Sequence, residues 1–164
     1  MNIKSLLVAV LALAVSGSAF AGSNSTTFTV QADVVKECAI DGGNLTFPTS
    51  GLLTASIDAV ANVQIECTGA VPYTLSTNAA DYTAIYAAGS PTGKSYVMGN
   101  GTSYKIGYLL YSDASRTTVL DGVAAISGTS TGGVQQIPVY GRIYAQTSKP
   151  AGVYTQALPL TLTF

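Results

Sequence analysis

The side chains able to do chemistry are few, and their spacing does not bring them together. The sequence contains no histidine, which removes the commonest general base, the commonest metal ligand and any Ser-His-Asp triad. Its eight carboxylates, Asp33, Glu37, Asp41, Asp58, Glu66, Asp81, Asp113 and Asp121, fall beside turns or on polar faces of strands. No spacing selects two of them as a glycosidase pair. Residues 88–95, AGSPTGKS, fit a relaxed phosphate-loop pattern with alanine in place of the first glycine. Phosphate binding by such a loop needs a buried strand before it and a helix after it. The next six residues are YVMGNG, a short strand and a turn, so the stretch reads as a turn. No cofactor, no metal site and no catalytic set is expected.

Cys38 and Cys67 are the only thiols. In an oxidising compartment they have a single possible intrachain pairing. A bridge closing about 28 intervening residues stabilises by roughly 3–4 kcal/mol on the chain-entropy model. It also leaves no thiol for nucleophilic or zinc chemistry.

Export is predicted by the first 21 residues. Lys4 supplies a positive n-region, residues 6–15 an apolar h-region and Ala19-Phe20-Ala21 a small-x-small cleavage site. Residues 1–21 are therefore read as a signal peptide, with the mature chain starting at Gly22. The h-region is too short to span a bilayer, and the rest of the chain has no other long apolar run, so direct membrane insertion is not expected. With Lys4 removed, six of the seven basic residues remain against eight acidic ones. No basic patch points to nucleic acid and no polybasic run to an anionic membrane. Only 9% of the chain is charged, so charge does little to oppose self-association.

Positioning falls to β-strands. Helical periodicity is nearly absent, and alternating segments separated by Gly, Asn, Asp and Ser recur. At least seven strands are predicted, over residues 26–40, 56–67, 71–77, 95–98, 103–112, 134–145 and 153–164, with a mobile Gly/Ser/Thr stretch at 127–133. The pattern indicates one all-β sandwich domain. Six of the ten tyrosines, Tyr104, Tyr108, Tyr111, Tyr140, Tyr144 and Tyr154, fall on these strands, where packing is the ordinary role.

The two ends carry the most information. Leu158, Leu160, Leu162 and Phe164 alternate with polar residues and Pro159, and the alternation runs to the last residue. Pro159 cannot donate to a ladder and suits an edge. At the other end Phe28, Val30, Ala32 and Val34 form an apolar stripe beginning close to the mature amino terminus. Each end reads equally as an ordinary strand of its own sandwich or as a strand that pairs elsewhere.

Several segments resemble the spore coat protein U domain family, which includes subunits of archaic chaperone-usher pili. They are PAGVYTQ at 150–156 with the alternating ALPLTLTF at 157–164, IPVYGRI at 137–143, YLLYSD at 108–113 and the early Cys38-Ala39-Ile40. Departures are Gln156 where the family usually has Asp, Pro159 inside the last strand, and the lack of Trp. The resemblance implies an immunoglobulin-like, incomplete β-sandwich completed by donor-strand exchange, with residues 22–35 as donor segment and 36–164 as pilin domain. It implies Phe28, Val30, Ala32 and Val34 as donor plugs, the small Ala32 in a narrow part of the groove. Leu158, Leu160, Leu162 and Phe164 would line the acceptor groove, and the Phe164 carboxylate would be a handle for a chaperone.

Implied partners are neighbouring copies of the chain or related pilins, a periplasmic chaperone and an outer-membrane usher. The implied destination is a cell-surface fimbrium reached through the periplasm and used in adhesion and biofilm formation. The competing reading is a self-contained secreted sandwich that binds carbohydrate or belongs to a coat.

Overall fold

The structure, a computed structural model, describes residues 21–82 and 91–164. The predicted signal peptide lies outside these residues except for Ala21, as do residues 88–90 of the phosphate-loop-like stretch. The remainder of that stretch is a turn at 91–93 running into a strand, with no helix after it.

Residues 34–164 form one unit that holds all eight described strands. These are β1 (Cys38–Asp41), β2 (Ile57–Cys67), β3 (Pro72–Thr77), β4 (Tyr96–Gly99), β5 (Lys105–Tyr111), β6 (Ile126–Thr129), β7 (Gln135–Ile143) and β8 (Leu160–Thr163). They make a sandwich of two antiparallel sheets of unequal width, β1-β2-β7-β5-β4 and β6-β3-β8. The alternation read from the sequence is what divides inside from outside. Along β2, Val63, Ile65 and Cys67 are buried while Asp58, Val60, Asn62 and Glu66 face out. Along β7, Ile137, Val139, Gly141 and Ile143 are buried in the same register. Outside, the Arg142 guanidinium donates to both Asp58 oxygens at 2.6 and 2.7 Å. The two residues are directly opposed across β2 and β7, and the arginine's hydrogen bonds hold the Asp58 carboxyl below its usual range.

Tyr96 ties the two sheets together. Fully buried on β4, its hydroxyl donates to the Leu120 carbonyl at 2.7 Å and shares a 2.6 Å hydrogen bond with Thr77 Oγ1 on β3. Tyr96→Phe leaves a buried hydroxyl and a carbonyl without this partner. A loss of about 1–3 kcal/mol of stability is expected, read as a lower urea midpoint with an unchanged slope.

Three predicted elements differ from those observed. In place of a strand over 26–40, the strand is Cys38–Asp41. Residues 22–33 carry no strand and are exposed throughout, because no ladder partner is supplied for them. The stretch 127–133 is not wholly loose, since β6 begins at Ile126 and pairs with β3. Gly128 stands opposite Tyr73, and the tyrosine ring occupies the space a Cβ would need, its hydroxyl 2.6 Å from that position. Glycine here serves packing rather than flexibility. The last predicted strand is reduced to Leu160–Thr163. Ahead of Pro159 the chain turns to β4 instead, where Gly99 and Thr155 exchange backbone hydrogen bonds of 3.0 and 2.8 Å.

Candidate functional site: an open apolar groove

Among the described residues five strands face three, and part of the wide sheet's inner surface has no described strand above it. The uncovered part is an open groove of about 1100 Å³. Its floor comes from the wide sheet, with Ala61 and Val63 on β2, Val139 and Ile143 on β7, and Tyr108 and Leu110 on β5. One wall is the segment 43–50, and the other is the segment 152–160 leading into β8. β8 is an edge strand bonded only to β3 among the described residues. An edge strand offers a row of backbone donors and acceptors to any further strand laid beside it.

The walls hold their places through identifiable contacts. Leu45 and Phe47 sit on Gly141 of β7, where a Cβ would come within 2.8–2.9 Å of their side chains. Any larger residue at 141 would push this wall off the floor. Phe47 also meets Tyr108 edge-on, with ring centroids 6.1 Å apart. On the opposite wall Gln156 Oε1 accepts from the Val97 backbone N–H at 3.0 Å and from the Tyr108 hydroxyl at 2.9 Å. Burial pushes the Tyr108 hydroxyl well above the usual tyrosine range, so it remains a neutral donor. Tyr154 donates to the Pro150 carbonyl at 2.9 Å, closing the bend that starts this wall.

No Asp, Glu, Lys or Arg is among the described residues that line the groove. Its volume matches or exceeds what a drug-sized ligand needs, and its polar side chains are hydroxyls and amides, with no ionisable carboxylate or amine among them. Among the described residues no group of three or more His, Cys, Asp or Glu could hold a metal ion. An uncharged, largely apolar groove beside a strand edge with no partner among the described residues is suited to receive an alternating β-strand.

Of the residues singled out from the sequence, Leu158 and Leu160 line this groove. Leu162 packs against the core. Phe164 is half exposed and lines a separate shallow hollow with Tyr73 and Gly128. Phe28, Val30 and Val34 are 87%, 81% and 84% exposed, and Ala32 is exposed with them. Cys38 and Cys67 are bonded, S–S 2.04 Å, and face each other across β1 and β2. Of the strand tyrosines, Tyr108 and Tyr111 are buried, Tyr104 is 48% exposed, and Tyr140, Tyr144 and Tyr154 are half-buried. The groove's far wall, Leu45 and Phe47, was not picked out from the sequence. Its signal was the alternation in Asn44-Leu45-Thr46-Phe47 just after Gly42 and Gly43.

A family model for the Spore Coat Protein U domain matches residues 24–161. No curated protein sequence matches the chain. Among solved structures, the chain is similar to one in the CsuC–CsuE chaperone–tip adhesion subunit pre-assembly complex from archaic chaperone-usher Csu pili of Acinetobacter baumannii. The TM-score is 0.56 at 18% identity, over 80% of this chain and 40% of that one. The likeness is one of fold, and this chain spans well under half of the length of the one it matches.

Proposed function

Since the chain belongs to the Spore Coat Protein U domain family, we propose that it is a structural, non-catalytic subunit of a chaperone-usher type surface pilus that polymerises by donor-strand complementation. The observation that carries this reading is the pairing of two incomplete halves within one chain. An uncharged groove lies open beside an edge strand, and a stripe of four apolar side chains at strand spacing is exposed and unpaired. Neither is a stable ending for a secreted domain, since each leaves apolar surface in water. Inserting one chain's 28–34 stripe into the next chain's groove covers both.

In this reading Phe28, Val30, Ala32 and Val34 enter the neighbour's groove, with Leu158 and Leu160 beneath them and Leu162 and Phe164 continuing the same strand. Because donor and acceptor surfaces differ, the contact is heterologous and repeats into a filament instead of closing a dimer. Before assembly, a periplasmic chaperone strand occupies the groove, and an outer-membrane usher exchanges it for the neighbour's arm. The finished fibre stands on the cell surface, where adhesion and biofilm formation are its uses.

The test separates donor from acceptor. Removing residues 22–35 from the mature chain leaves the groove intact, so the truncated subunit is expected to form no fibres and to bind a synthetic peptide of residues 26–35. Bound peptide raises its thermal midpoint in a concentration-dependent way. Fibres formed by the truncated subunit, or a midpoint indifferent to the peptide, would sink the proposal.

A further inference from the structure

The root of the exposed arm is held by one side chain that the groove does not explain. β1 begins at Cys38, yet Thr68, just past the end of β2, extends the pairing back to Glu37 and Val35. The Thr68 N–H donates to the Glu37 carbonyl at 2.9 Å. Its hydroxyl accepts from the Glu37 N–H at 2.9 Å and donates to the Val35 carbonyl at 3.0 Å. Next to this clamp lies the Cys38–Cys67 bridge. Among the described residues the first backbone group held in this way belongs to Val35, directly after the last residue of the apolar stripe.

We propose that Thr68 is a positioning residue that makes the joint between successive subunits stiff, by tying Val35, the last residue of the donor segment, to the domain that follows it. The inference rests on the donor-strand reading above. Val34, Cys38 and Ile40 share one parity, so a chain kept straight through 35–37 presents them on one face. Four residues of strand span at most about 14 Å. A neighbour whose groove takes Val34 therefore abuts the clamp and the disulfide of the donating domain. Without the hydroxyl, Val35 and Glu37 can turn, and each joint gains a hinge.

Thr68 lies outside the groove lining and its partners are exposed to water. Thr68→Val is thus expected to keep the unfolding midpoint and the uptake of the 26–35 peptide. Two readouts test the clamp on the full mature chain. Amide hydrogen exchange at Glu37 should speed up by about fivefold or more in Thr68→Val, in whatever state of assembly the chain is found. In electron micrographs, fibres of this variant should show a persistence length at least about twofold shorter and a broader angle between successive subunits. Thr68→Ser should restore both. Unchanged exchange at Glu37 means the clamp does not hold. Faster exchange with unaltered fibres means that the joint is stiffened elsewhere, and either result overturns the proposal. Wild-type chain that forms no fibres while Glu37 exchange still responds would overturn the pilus reading, and the stiff joint with it, while leaving the clamp itself demonstrated.

Discussion

Replacing Val30 and Val34 together by lysine is expected to abolish fibre formation while shifting the stability of the subunit by no more than about 0.5 kcal/mol, the usual range for exposed positions. The two valines are 81% and 84% exposed and neither belongs to the core, so the subunit's own fold has little to lose. In the assembled state each lysine would place an ammonium in a trough with no acidic residue among its described lining. Burying an unpaired charge costs several kcal/mol per ion, and two per joint exceed what a short apolar stripe can offset. Sedimentation or electron microscopy of the purified chain would read the first effect, and urea unfolding of the monomer the second. Fibres of normal length from the double variant would show that these side chains do not enter a groove. A large drop in monomer stability would show instead that the arm belongs to its own domain. The paired outcome is specific to donation, since few residues can matter so much to assembly and so little to folding.

The disulfide carries the next largest effect. Replacing Cys38 and Cys67 by serine is expected to lower stability by roughly 3–4 kcal/mol, the chain-entropy value for a loop of this length. Beyond the entropy there is a local reason. β1 has four residues, its Ala39, Ile40 and Asp41 are exposed, and it pairs with β2 alone. Little apolar burial holds it, so the staple and the short ladder do most of the holding. The loss should therefore appear first as fast amide exchange in β1 and at Glu37, ahead of global unfolding. Buried serine hydroxyl at position 67, where the cysteine is 4% exposed, adds a desolvation penalty in the same direction. A double-serine variant with an unchanged urea midpoint would show that the bridge is dispensable. Reduction of the wild-type chain should reproduce the variant's midpoint if the effect is the cross-link itself.

Much of this fold was legible because strands with one buried face must alternate. Val63, Ile65 and Cys67, and Ile137, Val139 and Ile143, went to the inner face for that reason. Less legible were places where one residue type serves two purposes. In the sequence Gly128 reads as part of a mobile stretch and Gly141 as one more position of a strand, yet both are gaps filled by a neighbour's side chain, Tyr73 in one case and Leu45 with Phe47 in the other. Such a fit depends on which strands become neighbours, and local periodicity does not contain that information. Gln156 stood out in the sequence as a departure from the family pattern. In the fold it serves Val97 and Tyr108, 59 and 48 positions away, while Tyr154 bonds four residues back to Pro150.

By itself the sequence determined the class of the domain, the one possible cysteine pairing and the alternating stripe at each end, since these depend on residue type and spacing alone. It also left chemistry without its usual participants, there being no histidine and no free thiol. Only the tertiary structure decided that, among the described residues, five strands face three, that the uncovered floor lies beside the segment leading into β8, and that Leu45 and Phe47 form its far wall. It also decided that Thr68 grips the arm at Val35. The reason is physical. Alternation reports whether a side chain faces in or out, a property of one strand, whereas a groove is a property of how many strands reach each sheet and where the chain leaves them unpaired.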